Sequence, residues 1–524
     1  MFYLAQAGTS LYRLDATGAA TLLTPPADVL LDASRRARFA VLNRQVVIVN
    51  SPSDNLWVDP QGTVRRLTMK PPATPVVLAA GAAGTLNGSY IAACSFVVRD
   101  VQTRRVLAES PMGPISAASP TLANQVLSVT QVPLAAESIE SRRLYRTSSG
   151  PGDTYFRWID LDQNEQTTLI DGVSDESLDL FAAPTDLGAS PRFELIVEWK
   201  DRLWAKPMNE IDSVYYTGVG KFYGWPWSQR LAVKPLGGDE RGVTGFMARR
   251  DELAIGRLDR IYKVVGTSPT NYELPKLIEG VGIVAPDSVN VRNDIARWLA
   301  KDGVYEWGPN GVTCISKERV HPWFATDTYF NRSEFPNAIG RYNPRFNTYE
   351  LLLAAAGSSV LDRWVSYDLD RKIWLGPHRT AVCTPTATGL VLDENDLDVP
   401  MIGASDGHLY RMNQTGASDG ASAIDYDVIL RHAQDPDVQK VFGELSLLTR
   451  PTAGTAGRLT ITPYVGPIDP PAQAPFTHEL AHERETHRHL GVGRVLKLRF
   501  RQNVAGQACE ILGYEIPLIR LGVR

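Results

Sequence analysis

The chain has 524 residues, too many for one ordinary core and enough for about three domains. Charged residues make up 21% and hydrophobic ones 44%, which excludes a disordered chain. With 54 Lys plus Arg against 58 Asp plus Glu the net charge is −4, so there is no global positive field for nucleic acid and any DNA contact must be local.

The 42 Gly and 35 Pro suit many short strands and turns better than long helices. The N-terminal MFYLAQAGTSLYRLDATG reaches polar residues at once and does not read as a signal peptide. No stretch approaches the roughly 18 to 20 apolar residues of a spanning helix, so synthesis in a cytoplasm without a membrane span is expected. Cys94, Cys314, Cys383 and Cys509 show no CxxC or zinc-ribbon spacing and read as buried small apolar residues.

In chain order, the most informative feature is a recurring strand that carries an apolar–aromatic pair. It appears in SLYRLDATGAATLL (Leu11, Tyr12), NLWVDPQGTVRRL (Leu56, Trp57), RLWAKP (Leu203, Trp204) and RIYKVVG (Ile261, Tyr262). It returns in GVYEWGPNGVTCIS (Val304, Tyr305), RWVSYDLDRKIWLG (Trp364) and HLYRMNQTG (Leu409, Tyr410). The aromatic steps are 45, 147, 58, 43, 59 and 46 residues. Five of the six lie near the about 40 to 50 residues of a four-stranded propeller blade with modest loop insertions. One blade cannot bury both faces, so blades stack, and a recurrent aromatic fills the widening space between neighbouring sheets. Turns such as DATG, DPQG, GPNG and SDG supply the residues that tight hairpins require.

The long step exceeds the first by 102 residues, the size of a small sandwich. Between MKPPATP and DLFAAPTDLG, apolar and polar residues alternate in short runs separated by turns. After about residue 422 the marker stops, and another five or so strands follow. The predicted fold is therefore all-β: a six- or seven-bladed β-propeller with an inserted fibronectin-like β-sandwich and a C-terminal β-sandwich. Residues 1–71 are the first part of the propeller, 72–187 the insert, 188–421 the remainder of the propeller and 422–524 the terminal domain. A short helix is expected around Glu240 to Arg249.

Several motifs suggest chemistry. His478-Glu479-Leu480-Ala481-His482 is a literal HExxH, which in zinc peptidases places two His on one helix face with the Glu as general base. Glu483, His487 and His489 follow closely, but Glu485 and Arg488 stand where the extended pattern needs Gly and His. Glu510 is a third ligand only by choosing it afterwards. Pro470, Pro471 and Pro475 precede the motif and strands surround it, so an exposed charged loop or strand is expected. Two GASDG copies (Gly403 to Gly407, Gly416 to Gly420) match the nucleophile-elbow pattern, yet lack its strand–helix context and read as hairpin turns. DENDLD (Asp393 to Asp398) lacks the Gly of a calcium loop and reads as a solvated loop. The arginine pairs (Arg35-Arg36, Arg65-Arg66, Arg104-Arg105, Arg142-Arg143, Arg249-Arg250) read mostly as solvated strand ends. No catalytic, cofactor or metal site is assigned.

The order of parts resembles the β-propeller tail nozzle or tail-accessory (DNA-stabilisation) proteins of short-tailed bacteriophages. The likeness rests on LAKDGVYEWGPNGVTCIS, RWVSYDLDRKIWLG and IGASDGHLYRMN, on LNGSYIAACSFV, SRRLYRTSSG and TTLIDGVSDESL within the insert, and on the closing EILGYEIPLIRLGVR. The resemblance implies a virion tail protein without turnover or cofactor: a homo-oligomeric ring, a hexamer of about six copies. Its partners would be the portal-adaptor protein and tail fibres or other tail proteins, and genomic DNA would pass its lumen without sequence recognition, retained until ejection. Lumen carboxylates that repel phosphate would suit such a conduit. The competing expectation is a carbohydrate-binding or glycan-processing propeller, with carboxylates and Arg converging on one face; a zinc hydrolase using His478, Glu479 and His482 is the minor one.

Overall fold

The computed structural model describes residues 3–15, 18–150, 152–178, 181–233, 242–318, 320–380, 382–393, 397–412, 418–419, 422–424, 426–432, 437–450, 457–467, 469–504 and 509–521. Two compact units divide the chain: residues 1–378 with 385–403, and residues 379–384 with 404–524.

Among the described residues the first unit is all-β apart from the short helix His321–Ala325 and three short 3-10 segments. Outside the insert its backbone repeats one event, an antiparallel meander with each strand paired to the one before it, four-stranded in five sheets and three-stranded in the first and the seventh. The first such meander begins at Tyr3–Ala7 and the second at Arg38–Leu42. The next four begin at Phe193–Trp199, Gly245–Ala248, Asn290–Arg292 and Ile339–Asn343, and a seventh starts with Pro385–Leu392. The opening strands of successive meanders from the second onward lie side by side around a common axis. Closure comes where the Leu392 N–H donates to the Tyr3 hydroxyl at 2.7 Å, which brings the seventh meander back to the first. The arrangement is that of a β-propeller.

Local sequence explains the tight meanders. In the second, third and fifth, the first two strands are joined by two residues that both have positive φ: Asn43-Arg44 (52° and 67°), Lys200-Asp201 (49° and 55°) and Asn293-Asp294 (51° and 58°). That pair of conformations is the type I′ hairpin, whose twist matches the strands. The absence of glycine hides all three of these turns from a search for NG or DG.

Between neighbouring sheets lie the cores that the recurrent aromatic foretells. Trp57 and Trp204 are fully buried, and Tyr262 and Tyr305 nearly so. Aromatic polar tips bridge sheet to sheet: Trp199 Nε1 donates to the Arg249 carbonyl (3.0 Å), the Tyr349 hydroxyl to the Ser288 carbonyl (2.8 Å), and Trp374 Nε1 to the Ile315 carbonyl (2.9 Å). One register assignment needs correction. In the second, fourth, fifth and sixth meanders the marker sits on the third strand, but Trp204 lies on the second strand, Arg202–Pro207. The third strand there is Ser213–Tyr216, and its buried Tyr215 precedes Tyr262 by 47 residues, which removes the irregular step of 58.

The insert is a sandwich of two antiparallel sheets. One orders Val106–Glu109, Ala92–Arg99, Ser141–Arg146 and Phe156–Leu161; the other orders Leu169–Asp171, Leu122–Thr130 and Val77–Gly88. Its own core includes Leu86, Tyr90, Cys94, Leu127, Val129 and Leu144. A second cluster joins Val98 and Ala108 of the insert to Trp57, Leu67, Phe193 and Trp225 of the propeller.

Two sequence expectations fail in this unit. Residues 245–248 of the expected helix form a buried strand paired with Leu253–Gly256, because four apolar residues that pack on both sides suit a short inner strand. The arginine pairs divide: Arg66, Arg142, Arg143 and Arg249 are each less than 9% exposed, against expectation, while Arg35, Arg104, Arg105 and Arg250 are exposed as expected. Arg66 reaches Asp28, Asp54 and Glu137, and Arg65 reaches Asp59 (2.6 Å) and Glu140 (3.2 Å), so the pair ties the insert to the second meander. Of the cysteines only Cys94 is buried, where burial pushes its thiol up to about 12; the other three are partly exposed.

The second unit is also a sandwich. One sheet orders Tyr426–His432, Val495–Gln502, Arg458–Gly466 and Phe476–Glu479; the other holds Arg484–Gly493, Lys440–Thr449, Ile511–Glu515 and Leu518–Arg520. Leu445, Leu447, Leu459, Ile461, Leu498 and Phe500 fill the space between them.

Candidate functional site

The innermost strands of the propeller turn part of their side chains toward the axis. There a cavity of about 590 Å³ is lined by Arg35, Arg36, Arg38, Arg192, Glu194 and Asp287, among others. A second cavity, of about 410 Å³ and more apolar, runs along Phe39, Leu195, Val197, Phe246 and Val291 and shares Arg38 and Asp287 with the first. The shared residues form a bridge: Arg38 Nε donates to Asp287 Oδ1 at 2.8 Å and Arg38 Nη2 to Asp287 Oδ2 at 3.2 Å. Arg36 adds a third contact at 3.3 Å. Burial pushes the Asp287 carboxyl up, but the charges and hydrogen bonds of Arg38 and Arg36 outweigh it and hold the group below its ordinary range. Glu194 is occupied by Lys206.

Arginines and carboxylates therefore line one cavity together. Their chemistry is that of ion pairs. A general acid needs a carboxyl held above its ordinary range and a second carboxyl across an open substrate position. Asp287 is shifted the other way and both its oxygens are taken.

The HExxH segment is not a helix. His478 and Glu479 end one strand, a turn follows over residues 480–483, and Arg484–Gly493 enters the opposite sheet. Strand alternation points His478 inward, fully buried, and Glu479 outward, 3.4 Å from Arg458. The zinc-peptidase geometry is thus absent: Glu479 leaves the face of His478, and the His482 side chain is 55% exposed. Glu510 pairs with Arg450 at 3.1 Å, and His489 lies on the surface. The expected exposed loop is also corrected at His478. Its Nδ1 lies 3.2 Å from Glu485 Oε2 and 3.1 Å from His487 Nε2, and its Nε2 lies 3.1 Å from Thr449 Oγ1. Phe476 packs on the His487 ring at 4.9 Å. Burial pushes both His478 and His487 below the ordinary imidazole range, opposed by the charge of Glu485. The signal was present as Glu485-x-His487, two residues apart on a strand, but a search at helical spacing passes over it.

Ser405 of the first GASDG is exposed in a turn that ends at Gly407 (φ 81°) and leads into a strand, which is no nucleophile elbow. Of the second copy only Ser418 and Asp419 belong to the described residues. Residues 394–396 of DENDLD lie outside them, while Asp393 and Leu397 close a hairpin with two hydrogen bonds of 3.0 Å. No helix is long and apolar enough to cross a membrane among the described residues.

No family model matches the chain, and no curated protein does. Among solved structures, BBS1N in complex with ARL6DN is 11% identical, with 64% of this chain and 94% of that one covered at a TM-score of 0.27. An exo-β-1,3-galactanase from Phanerochaete chrysosporium bound to β-1,3-galactotriose is 9% identical over 62% and 95%, at 0.22. A family 43 arabinoxylan arabinofuranohydrolase from Bacillus subtilis is 11% identical over 84% and 94%, at 0.17. The likeness carries no further. Activity has to be argued from this chain's own geometry.

Proposed function

We propose that the protein is a structural, non-enzymatic component of a bacteriophage tail, a nozzle subunit that assembles into a ring, retains packaged DNA and opens for ejection. The observation that supports this reading best is the order and joining of the parts. A propeller is interrupted after its second meander by a sandwich, and that sandwich is fastened back by Arg65 to Glu140 and Arg66 to Glu137. A subunit built to bear load in a wall gains from such cross-ties, since buried Arg–carboxylate contacts resist shear in a fixed geometry. The axial ion pairs fit the same reading, because Asp287 has both oxygens taken by arginines and Glu194 is paired with Lys206.

Native mass spectrometry and particle averaging of the purified protein, alone and with virions, test the proposal. A ring of about six copies on a phage tail supports it. A stable monomer absent from virions refutes it. The second reading, glycan binding on the axis, is favoured by Arg36, Arg192, Glu194 and Asp287 around one cavity. A glycan array with a hydrolysis assay decides it, since binding there must weaken in Arg192→Ala.

A further inference from the structure

We infer that His478, Glu485 and His487 form a metal site of the zinc class that staples the two sheets of the C-terminal sandwich. This does not depend on the tail reading. His478 comes from one sheet and the other two from the facing one, with one ligand atom each inside a span of 4.8 Å.

The hydrogen bonds fix which atoms face inward. Thr449 Oγ1 is fully buried and lies 2.8 Å from the His482 carbonyl, which can only accept. The threonine proton is spent there, so its oxygen accepts at 3.1 Å from His478 Nε2–H. That assigns the His478 proton to Nε2 and leaves Nδ1 as a bare lone pair, the arrangement an outer hydrogen bond imposes on ligating histidines. The bare Nδ1 faces a carboxylate oxygen at 3.2 Å and a second imidazole nitrogen at 3.1 Å, and these two are 3.8 Å apart. No proton lies between the Nδ1 lone pair and the carboxylate, and His487 Nε2 either donates its one proton to Nδ1 or stands as a third bare atom.

A cation resolves that conflict. Ligand bonds of about 2.0 to 2.1 Å in a tetrahedron set neighbouring donor atoms roughly 3.3 Å apart, close to the 3.1 and 3.2 Å sides of this triangle, while its 3.8 Å side has to shorten by about half an ångström on binding. Two imidazoles with one carboxylate are a donor set for zinc rather than for calcium or magnesium. Glu485 is 32% exposed and His482 Nδ1 lies 3.7 Å from its Oε2, so water or His482 is within reach to complete the shell. The Phe476 ring against His487 holds the imidazole in place. Glu479, the residue that the literal motif would make a base, takes no part.

The test uses the full chain without a histidine tag, stripped with chelator and given zinc chloride or cobalt chloride. Expected are one retained zinc per chain after dialysis, a raised melting temperature, and for cobalt the intense visible absorption of a four- or five-coordinate site. Glu485→Gln and His487→Gln should each weaken zinc binding at least about tenfold. The surface variant His489→Gln should retain the stoichiometry. No retained zinc, or zinc lost from the surface variant but kept by His487→Gln, overturns the inference. Should the ligand variants fail to fold, the cobalt spectrum of the unaltered chain decides: a weak six-coordinate spectrum refutes the site.

Discussion

Arg38 and Asp287 stand 249 positions apart in the chain and meet through two hydrogen bonds of 2.8 and 3.2 Å across the propeller axis. Arg38 opens the second meander and Asp287 leads into the fifth, so the contact ties meanders that are not neighbours in the ring. Asp287→Leu alone should destabilise the first unit by about 3–5 kcal/mol, because it leaves an arginine charge desolvated without its partner. Arg38→Met with Asp287→Leu should cost clearly less than either change alone. Denaturant unfolding of the four proteins checks the cycle, and additive losses would contradict the pairing.

Acid should report on the same carboxylate. Asp287 in the folded protein ionises below its ordinary value of 3.8, where the unfolded chain would already bind protons. Its contribution is therefore fully present above that value and is lost as pH falls through the folded one. Asp160 is lowered too: burial raises it, but the Arg143 hydrogen bond and nearby arginine charges prevail. Melting temperature measured below about pH 4 should fall steeply in the wild type and less steeply in Asp287→Asn. Equal slopes would mean the bridge is not ionised in the way described.

Arg66 is 2% exposed and carries contacts to Asp28, Asp54 and Glu137 at once. Arg66→Met keeps much of the volume and removes the charge, so the insert should loosen from the second meander without losing its own core. Limited proteolysis should then cleave the Pro-rich entry around residues 70–75 several-fold faster, with Glu137→Gln intermediate. Unchanged cleavage would show that the shared apolar cluster alone holds the insert.

Gly282 marks a close passage of two backbones. A Cβ built there would meet the Arg257 carbonyl oxygen at 2.1 Å and the Leu258 carbonyl carbon at 2.2 Å, neither of which can rotate away. Gly282→Ala should cost at least about 1–3 kcal/mol, the usual range for forced overpacking. Gly308→Ala, whose nearest neighbour is a side-chain carbon at 3.6 Å, serves as the control and should stay near neutral. The midpoints of urea unfolding distinguish them.

Much of the propeller was legible because burial on a stacked sheet leaves a mark in one dimension. Leu56-Trp57, Ile261-Tyr262 and Val304-Tyr305 recur since each third strand is covered on both faces, one member of the pair packing against each neighbouring sheet. Trp204 misled for the same reason: a buried tryptophan on a second strand leaves the same local signature as one on a third. The type I′ turns at Asn43-Arg44 and Lys200-Asp201 carry none of the expected glycine, because Asn, Asp and charged residues also tolerate positive φ when the strands hold them.

The sequence by itself determined that this is a β-protein with repeated hairpins and recurrent buried aromatics, which follow from strand alternation and turn chemistry over a few residues. Only the tertiary structure decided the fate of the charges. Whether Arg66 is solvated or clamped, whether Asp287 faces water or two guanidinium groups, and whether His478 meets His482 or His487 depend on residues from distant segments brought within about 3 Å, and Coulomb and hydrogen-bond energies are set by that distance and by the water it excludes.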